Sequence, residues 1–300
     1  MSERRRVLLC THTGRPEAVA AAREMLSRLM DAGMGVSVLP EEAAELGSEG
    51  VDVALAEHPV QGCELVIVLG GDGTILRGAE LLRGTEVPLL GVNLGHVGFL
   101  AESERDDLAA TAQRVVERDY GVEERMTLDV TVLVAGQVVA RSWALNEASV
   151  EKSSSERMLQ LVIEVDGRPL STLGCDGVVL ATPTGSTAYA FSAGGPVVWP
   201  QVEALLLVPN AAHALFARPL VVAPTSRLAV EVLADGPGSG VLWCDGRRRF
   251  ELAAGSRVEA TRGELPVRLA RLARGPFTDR LVAKFRLPVH GWRGQAPPRS

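Results

Sequence analysis

A glycine-rich turn, Gly70-Gly71-Asp72-Gly73-Thr74, follows directly on the apolar run Leu65-Val66-Ile67-Val68-Leu69. A run that is apolar at every position reads as a strand buried on both faces. The carboxyl ends of such strands are where α/β sheets bind ligands. Three glycines in five residues let the backbone approach an anion closely, and a helix starting just behind them favours negative charge. Gly70, Gly71, Gly73 and Thr74 therefore form the candidate phosphate-binding set. The turn is not a P-loop, because no Gly-Lys-[Ser/Thr] follows, nor does it match Gly-x-Gly-x-x-Gly. Asp72 sits in its middle and would repel phosphate unless it had a task. It could accept a proton from an attacking hydroxyl, or help hold a metal ion. An isolated Asp-Gly would read as a turn or helix cap. Behind a buried strand and among glycines, Asp72 reads as functional.

Four further segments carry polar groups at suggestive places. Asp176 through Ser192 contains Thr-Pro-Thr-Gly-Ser-Thr-Ala-Tyr-Ala-Phe-Ser, with five hydroxyl side chains between Thr182 and Tyr189. Such a stretch offers short donors to a polar ligand, although a Ser/Thr-rich surface loop is the bland reading. Asn146-Glu147 closes a strand-like run and could hold ribose hydroxyls or an amide, with a turn as the default. Asn93-Leu94-Gly95-His96-Val97-Gly98-Phe99-Leu100 could wall a base pocket, or place Phe99 in a core. Cys244-Asp245-Gly246 reads first as a hairpin turn.

The elements that must position these groups fall into two kinds. Up to about residue 125, strand-like and helix-like segments alternate. Val7–Cys10, Val36–Leu39, Leu65–Leu69 and Val87–Leu94 read as strands. Glu17–Met30, Ile75–Leu82 and Arg105–Arg118 read as helices, the first with Pro16 at its start and Gly33 at its stop. This alternation predicts an α/β domain with a Rossmann-like parallel sheet. From Met126 to about Leu272 the runs are short and β-rich, punctuated by Ala135-Gly136, Asp166-Gly167, Asp235-Gly236 and Asp245-Gly246. That pattern predicts a mostly antiparallel all-β C-terminal domain. Phe277–Phe285 reads as a final helix, and residues 294–300 as a frayed tail. The expected division is 1–125, 126–274, 275–293 and 294–300.

Composition narrows the classes. The chain has 300 residues, 46% hydrophobic and 23% charged, which fits an ordered globular protein. A net charge of −6 argues against a nucleic-acid binder but leaves a backbone anion site open. Cys10, Cys63, Cys175 and Cys244 lack metal-ligand spacing, so buried thiols in a reducing cytosol are expected, with no zinc site. No signal peptide or run of about 18 apolar residues is read, so a cytoplasmic protein without a membrane partner is expected.

Taken together the segments resemble the NAD kinase family. The likeness rests on Gly70–Thr74, on Asn-x-Gly-x-x-Gly-Phe-Leu at 93–100, on Asn146-Glu147 and on the Asp176–Ser192 block, all in the family's order. The first motif is shared with diacylglycerol and sphingosine kinases; the Thr-Pro-Thr-Gly-Ser-Thr-Ala-Tyr block beside Asn-Glu is far more specific. Val208-Pro209-Asn210, Arg218-Pro219-Leu220 and Phe277-Thr278-Asp279-Arg280-Leu281 look like the actinobacterial branch. The resemblance implies transfer of the terminal phosphoryl group of ATP, or of polyphosphate, to the adenosine 2′-hydroxyl of NAD, giving NADP. It implies Asp72 as general base, and Gly73 and Arg77 beside the dinucleotide and phosphates. Phe99 belongs to the implied substrate set. Asn146 and Glu147 would hold the ribose and nicotinamide side. Asp176, Thr187, Ala188, Tyr189, Ala190, Phe191 and Ser192 would bind NAD, with Arg157 and Asp245 as further contacts. A basic residue found in some members two positions before Asp176 is Gly174 here. A divalent ion, Mg²⁺ or Mn²⁺, is implied as cofactor, as are a C-terminal segment returning to the first domain and a homodimer or homotetramer whose neighbours contribute to each site. The sequence shows no dense acidic cluster for a resident metal cage, which fits an ion held by nucleotide phosphates and water.

Three other classes fit less well. An oxidoreductase using NAD as cofactor predicts Gly-x-Gly-x-x-Gly after the first strand, where Thr11-His12-Thr13-Gly14-Arg15-Pro16 stands instead. A lipid kinase shares the glycine-rich motif but calls for an apolar acceptor pocket or membrane-binding surface. A non-catalytic dinucleotide-binding protein would have no need of Asp72.

Overall fold

The computed structural model describes residues 4–47, 49–94, 98–101, 103–104, 107–153, 158–234, 238–272 and 275–289. Arg157, Gly95–Val97, Asp235-Gly236 and the expected tail at 294–300 lie outside them. The chain divides into two compact units, Met1–Glu123 with Arg268–Ser300, and Glu124–Val267.

The first unit is built on a mostly parallel sheet. Its strands are β1 (Arg6–Thr11), β2 (Gly35–Val38), β3 (Asp52–Val53), β4 (Leu65–Leu69), β5 (Leu89–Asn93), β6 (Ser103–Glu104) and β7 (Gly121–Arg125), joined by the late strand β20 (Val267–Arg271). Their order is β3-β2-β1-β4-β5-β20-β7, with β6 on β5. Every residue of β2, β4 and β5 is buried, which is why these strands read as continuous apolar runs. The helices are α1 (Pro16–Asp31), α2 (Ala43–Leu46), α3 (Asp72–Leu81), α4 (Leu108–Glu117) and, from the end of the chain, α6 (Phe277–Phe285). Pro16 opens α1 and Gly33, at φ 83°, follows its end. Helix α3 begins at Asp72, three residues ahead of the expected start at Ile75. The cause is that Gly71 stands at the cap position, so Asp72 and Gly73 form the first turn and not a loop before it.

Strand order reverses between β1 and β4, which pair in parallel through Thr11 and Leu69 at their carboxyl ends. In an open α/β sheet the crevice for a ligand lies beyond such a switch point. The glycine-rich turn leaves the sheet there.

The second unit carries two antiparallel sheets. One is β15-β14-β13-β10-β17-β18 and the other β12-β11-β16-β19-β8-β9. The ranges of the first are β10 (Glu147–Lys152), β13 (Gly177–Ala181), β14 (Leu205–Asn210), β15 (Leu220–Val222), β17 (Gly240–Cys244) and β18 (Arg248–Leu252). Those of the second are β8 (Leu128–Val134), β9 (Gln137–Ala144), β11 (Leu159–Val165), β12 (Arg168–Cys175), β16 (Leu228–Val232) and β19 (Ser256–Arg262). Leu128, Val130, Leu161, Ile163, Val230 and Val258 of the second sheet share one core with Val150, Val178, Leu180, Leu205 and Leu242 of the first. Ala135-Gly136 and Asp166-Gly167 both have positive φ and close two-residue hairpins, as their dipeptides predict. All four cysteines are buried and free.

Candidate functional site

In the first unit, Gly70 is buried and a Cβ there would stand 2.6 Å from Thr74 Oγ1, so the turn has room only for glycine. Gly71 and Gly73 are exposed, and no atom lies within 4 Å of a Cβ built on either. They leave an open approach to the first turn of α3, where backbone N–H groups lack helical partners and the dipole favours an anion. Asp72 is the first residue of that helix. Its carboxylate accepts the backbone N–H of Phe99 at Oδ2 (3.4 Å) and of Leu100 at Oδ1 (3.3 Å). Gly98 packs against the same carboxylate so tightly that a side chain would overlap it.

Arg77 lies one turn further along α3. Its Nη2 donates to Glu41 Oε1 (2.7 Å) and Glu42 Oε1 (3.0 Å), and Nη1 to the Thr11 carbonyl (3.5 Å). Glu42 is 1% exposed and also accepts the Thr11 N–H at 3.1 Å. Burial pushes its carboxyl up to about 7, against the pull of the Thr11 N–H and of Arg77. Arg77 therefore ties α3 to the end of β1 at the switch point. The resemblance implies a place for Arg77 beside phosphate; in the structure its guanidinium is engaged by Glu41, Glu42 and the Thr11 carbonyl.

Phe99 is half-buried between two rings of α6, Phe277 (centroids 6.0 Å apart) and Phe285 (5.7 Å). Arg280 of the same helix donates to the carbonyls of Phe99 (3.3 Å) and Ala101 (3.1 Å).

In the second unit, Asn146 and Glu147 stand at the start of β10, both buried. Three consecutive backbone N–H groups there, Leu145, Asn146 and Glu147, donate to one carboxylate, Asp245, at 2.9, 2.7 and 3.3 Å. Arg248 adds a fourth bond to Asp245 at 2.8 Å and stacks over the Trp143 ring. Asp245 is thus a buried anchor for the Asn-Glu segment, set in a hairpin turn with φ 52°.

Asn146 and Glu147 are also gripped from the Thr182–Tyr189 stretch. Thr182 Oγ1 donates to the Leu145 carbonyl (2.6 Å) and accepts the Gly185 N–H (3.1 Å). Gly185 presses on the Asn146 backbone, where a Cβ would lie 2.8 Å from Asn146 Cα. Ser186 Oγ donates to the Val198 carbonyl at 3.1 Å. Thr182, Thr184 and Ser186 are buried, and the hydroxyls of Thr182 and Ser186 bond inward and brace the turn.

The remainder of that block is more open. Thr187 and Tyr189 are half-buried, Ala190 is buried, and Phe191 and Ser192 are exposed. Tyr189 OH accepts Asn210 Nδ2 at 3.2 Å. Tyr189 lines a cleft of about 300 Å³ with Glu147, Ser149, Glu151, Trp243 and Gly246. Glu147 Oε2 is buried there without a hydrogen-bond partner. Burial, then the charge of Asp245, push the Glu147 carboxyl up to about 8, so it is largely protonated at neutral pH. A neutral carboxyl can donate as well as accept, which suits a hydroxyl or amide of a ligand. Asp176 is half-exposed and paired with Lys152 at 2.5 Å. Ala188 precedes the short helix α5 (Tyr189–Ser192).

Among the described residues no group of three or more His, Cys, Asp or Glu side chains could hold a metal ion, and no helix is long and apolar enough to cross a membrane. The isolated carboxylate of Asp72 beside an open backbone turn suits an ion delivered by a nucleotide.

Sequence reasoning missed Glu42, Arg248 and the contacts of Arg280. Glu42 sits in an acidic stretch that looks solvated, and Arg248 among arginines that look like an exposed strand. Only their partners, far away in sequence, reveal them.

Comparison with known proteins agrees with the fold. Residues 7–120 match the ATP-NAD kinase N-terminal domain and residues 145–272 the ATP-NAD kinase C-terminal domain. A relative in the actinobacterium Streptomyces coelicolor, NAD kinase 2, is 62% identical over 293 residues, covering 97% of each chain. The crystal structure of yeast NADH kinase complexed with NADH superposes with a TM-score of 0.88 at 22% identity, covering 98% of this chain and 91% of that one. An NAD kinase from Archaeoglobus fulgidus in complex with ATP gives 0.71 at 26% identity, covering 94% and 98%.

Proposed function

The chain belongs to the NAD kinase family, and from that premise we propose that it moves the terminal phosphoryl group of ATP to the adenosine 2′-hydroxyl of NAD, with Asp72 as general base. The observation that carries the assignment of the base is the Asp72 carboxylate at the first residue of α3, beyond the switch point of the sheet. Two backbone N–H groups donate to it, and the open glycines beside it leave space for phosphates.

In this reading the 2′-hydroxyl gives its proton to Asp72 as its oxygen bonds to the γ-phosphorus and the bond to ADP breaks. Phosphoryl transfer asks mainly for positioning and charge stabilisation. The first turn of α3 supplies backbone donors. A divalent ion carried mainly by the triphosphate would supply charge compensation for the transferring group, and Asp72 is the carboxylate in the turn that could face it. Asn146 and Glu147 contact the dinucleotide, with Asp245 holding their backbone in place. Tyr189 and the Ala188–Ser192 segment complete the dinucleotide contacts together with Asp176, and the resemblance adds Arg157 to them. ATP bound to the Archaeoglobus fulgidus relative supports ATP as donor. A homodimer or homotetramer is part of this reading on the strength of the family resemblance.

The test is NADP formation from NAD, ATP and Mg²⁺, read through an NADP-specific dehydrogenase, with polyphosphate as a second donor arm. Turnover with ATP is expected. A folded protein that makes no NADP from either donor contradicts the reading.

A further inference from the structure

The Asp72 carboxylate is aimed by weak bonds. Its two backbone donors lie at 3.3 and 3.4 Å, the long end of the hydrogen-bond range. Bonds of that length do not by themselves hold a segment in place, so something else must fix the Gly98–Ala101 backbone.

Helix α6 does so from about 180 residues away in the chain. Arg280 Nη1 donates to the carbonyl oxygens of Phe99 and Ala101. The rings of Phe277 and Phe285 close on the Phe99 ring, with Lys284 Nζ 6.0 Å from its centroid. Phe99 C=O and Leu100 N–H belong to one planar peptide unit. That unit is held at both poles, by the Arg280 guanidinium on its oxygen and by the Asp72 carboxylate on its N–H. A cation on an amide oxygen draws electron density from the nitrogen, and hydrogen bonds in a chain strengthen one another. Turning this peptide would break both contacts together.

We propose that Arg280 is a positioning residue for phosphoryl transfer, acting on Asp72 through the Phe99–Leu100 peptide. The proposal rests on Asp72 being the base. It separates from ordinary packing of α6, because a purely structural role would cost the same whether or not residue 72 is a carboxylate.

The test is a double-mutant cycle on the full-length protein: wild type, D72N, R280A and D72N/R280A, with near-UV circular dichroism on each and kcat and KM for NAD and ATP. R280A is expected to lower kcat by about tenfold to a hundredfold, the scale of a small misplacement, and to change either KM by less than about twofold. In the D72N background the same change is expected to cost less than about twofold more, as coupled sites require. R280K, which restores a cation, is expected to recover most of the rate. Equal losses in both backgrounds, a loss confined to KM, or an unchanged R280A overturns the proposal. If R280A does not fold, R280Q, which keeps a donor without the charge, runs through the same cycle. A D72N variant with normal turnover contradicts the base assignment itself; a slow D72N with additive R280A contradicts only the clamp.

Discussion

Leu100 donates its backbone N–H to Asp72 Oδ1 at 3.3 Å, across 28 positions of sequence. Two residues earlier Gly98 touches the same carboxylate, with no room for a side chain. Among the described residues the carboxylate is therefore held directly by the backbone of the segment after β5.

Gly98→Ala tests this. The added methyl displaces Asp72 or the segment, and a shift of about 1 Å at a reacting group can cost roughly 10²-fold. The expected outcome is a kcat lower by about tenfold to a hundredfold, with thermal stability reduced modestly and KM for ATP little changed. Steady-state rates beside a thermal melt check it.

Glu147→Gln tests the buried carboxyl of the second unit. The folded protein holds the Glu147 proton up to about pH 8, whereas the unfolded chain releases it near 4.5. Between those values the folded state binds more protons, so stability falls as pH rises through that window and levels off above it. The neutral glutamine has no such loss. The variant and the wild type are expected to match near pH 4.5 and to diverge upward, with the variant more stable by on the order of a few kcal/mol above pH 8. Urea unfolding at several pH values reads this directly. A pH-independent difference contradicts the raised value.

Asp245→Ala removes the acceptor of three backbone N–H groups and the partner of Arg248. Leaving these groups unpaired is expected to cost about 3 kcal/mol or more in urea unfolding. Because Asp245 anchors Asn146 and Glu147, KM for NAD is expected to rise more than KM for ATP. Asp245→Asn keeps one acceptor oxygen and is expected to fall between.

The parts of this architecture that sequence makes legible are those whose signal is local. The β4 run and its glycines mark the switch point because both faces of the strand are buried. The dipeptides Ala135-Gly136 and Asp166-Gly167 mark hairpins because few residues accept positive φ. Phe277–Phe285 is readable as a helix, and it is one. The start of α3 at Asp72 is hidden, because glycines have poor helix propensity and disguise a first turn. Strands such as Arg248–Leu252 and Ser256–Arg262 are hidden because charged residues alternate along their outward faces, Arg249 and Glu251 in one, Arg257 and Glu259 in the other. The inward hydroxyls of Thr182 and Ser186 are unreadable for a different reason: their acceptors, Leu145 and Val198, are set by tertiary folding. The Arg280 contact to Phe99 and Ala101 is non-local in the same way.

The central claim is that Asp72 accepts the proton of the attacking hydroxyl. Its most direct test is the rate of NADP formation by Asp72→Asn, which keeps the size of the side chain and an acceptor oxygen for one of the two N–H groups, Phe99 or Leu100. The account predicts an intact fold and a kcat lower by roughly 10²–10⁴-fold, or about 3–5 kcal/mol in barrier. Turnover within about threefold of wild type, well below the roughly 10²-fold floor for losing a general base, would contradict it.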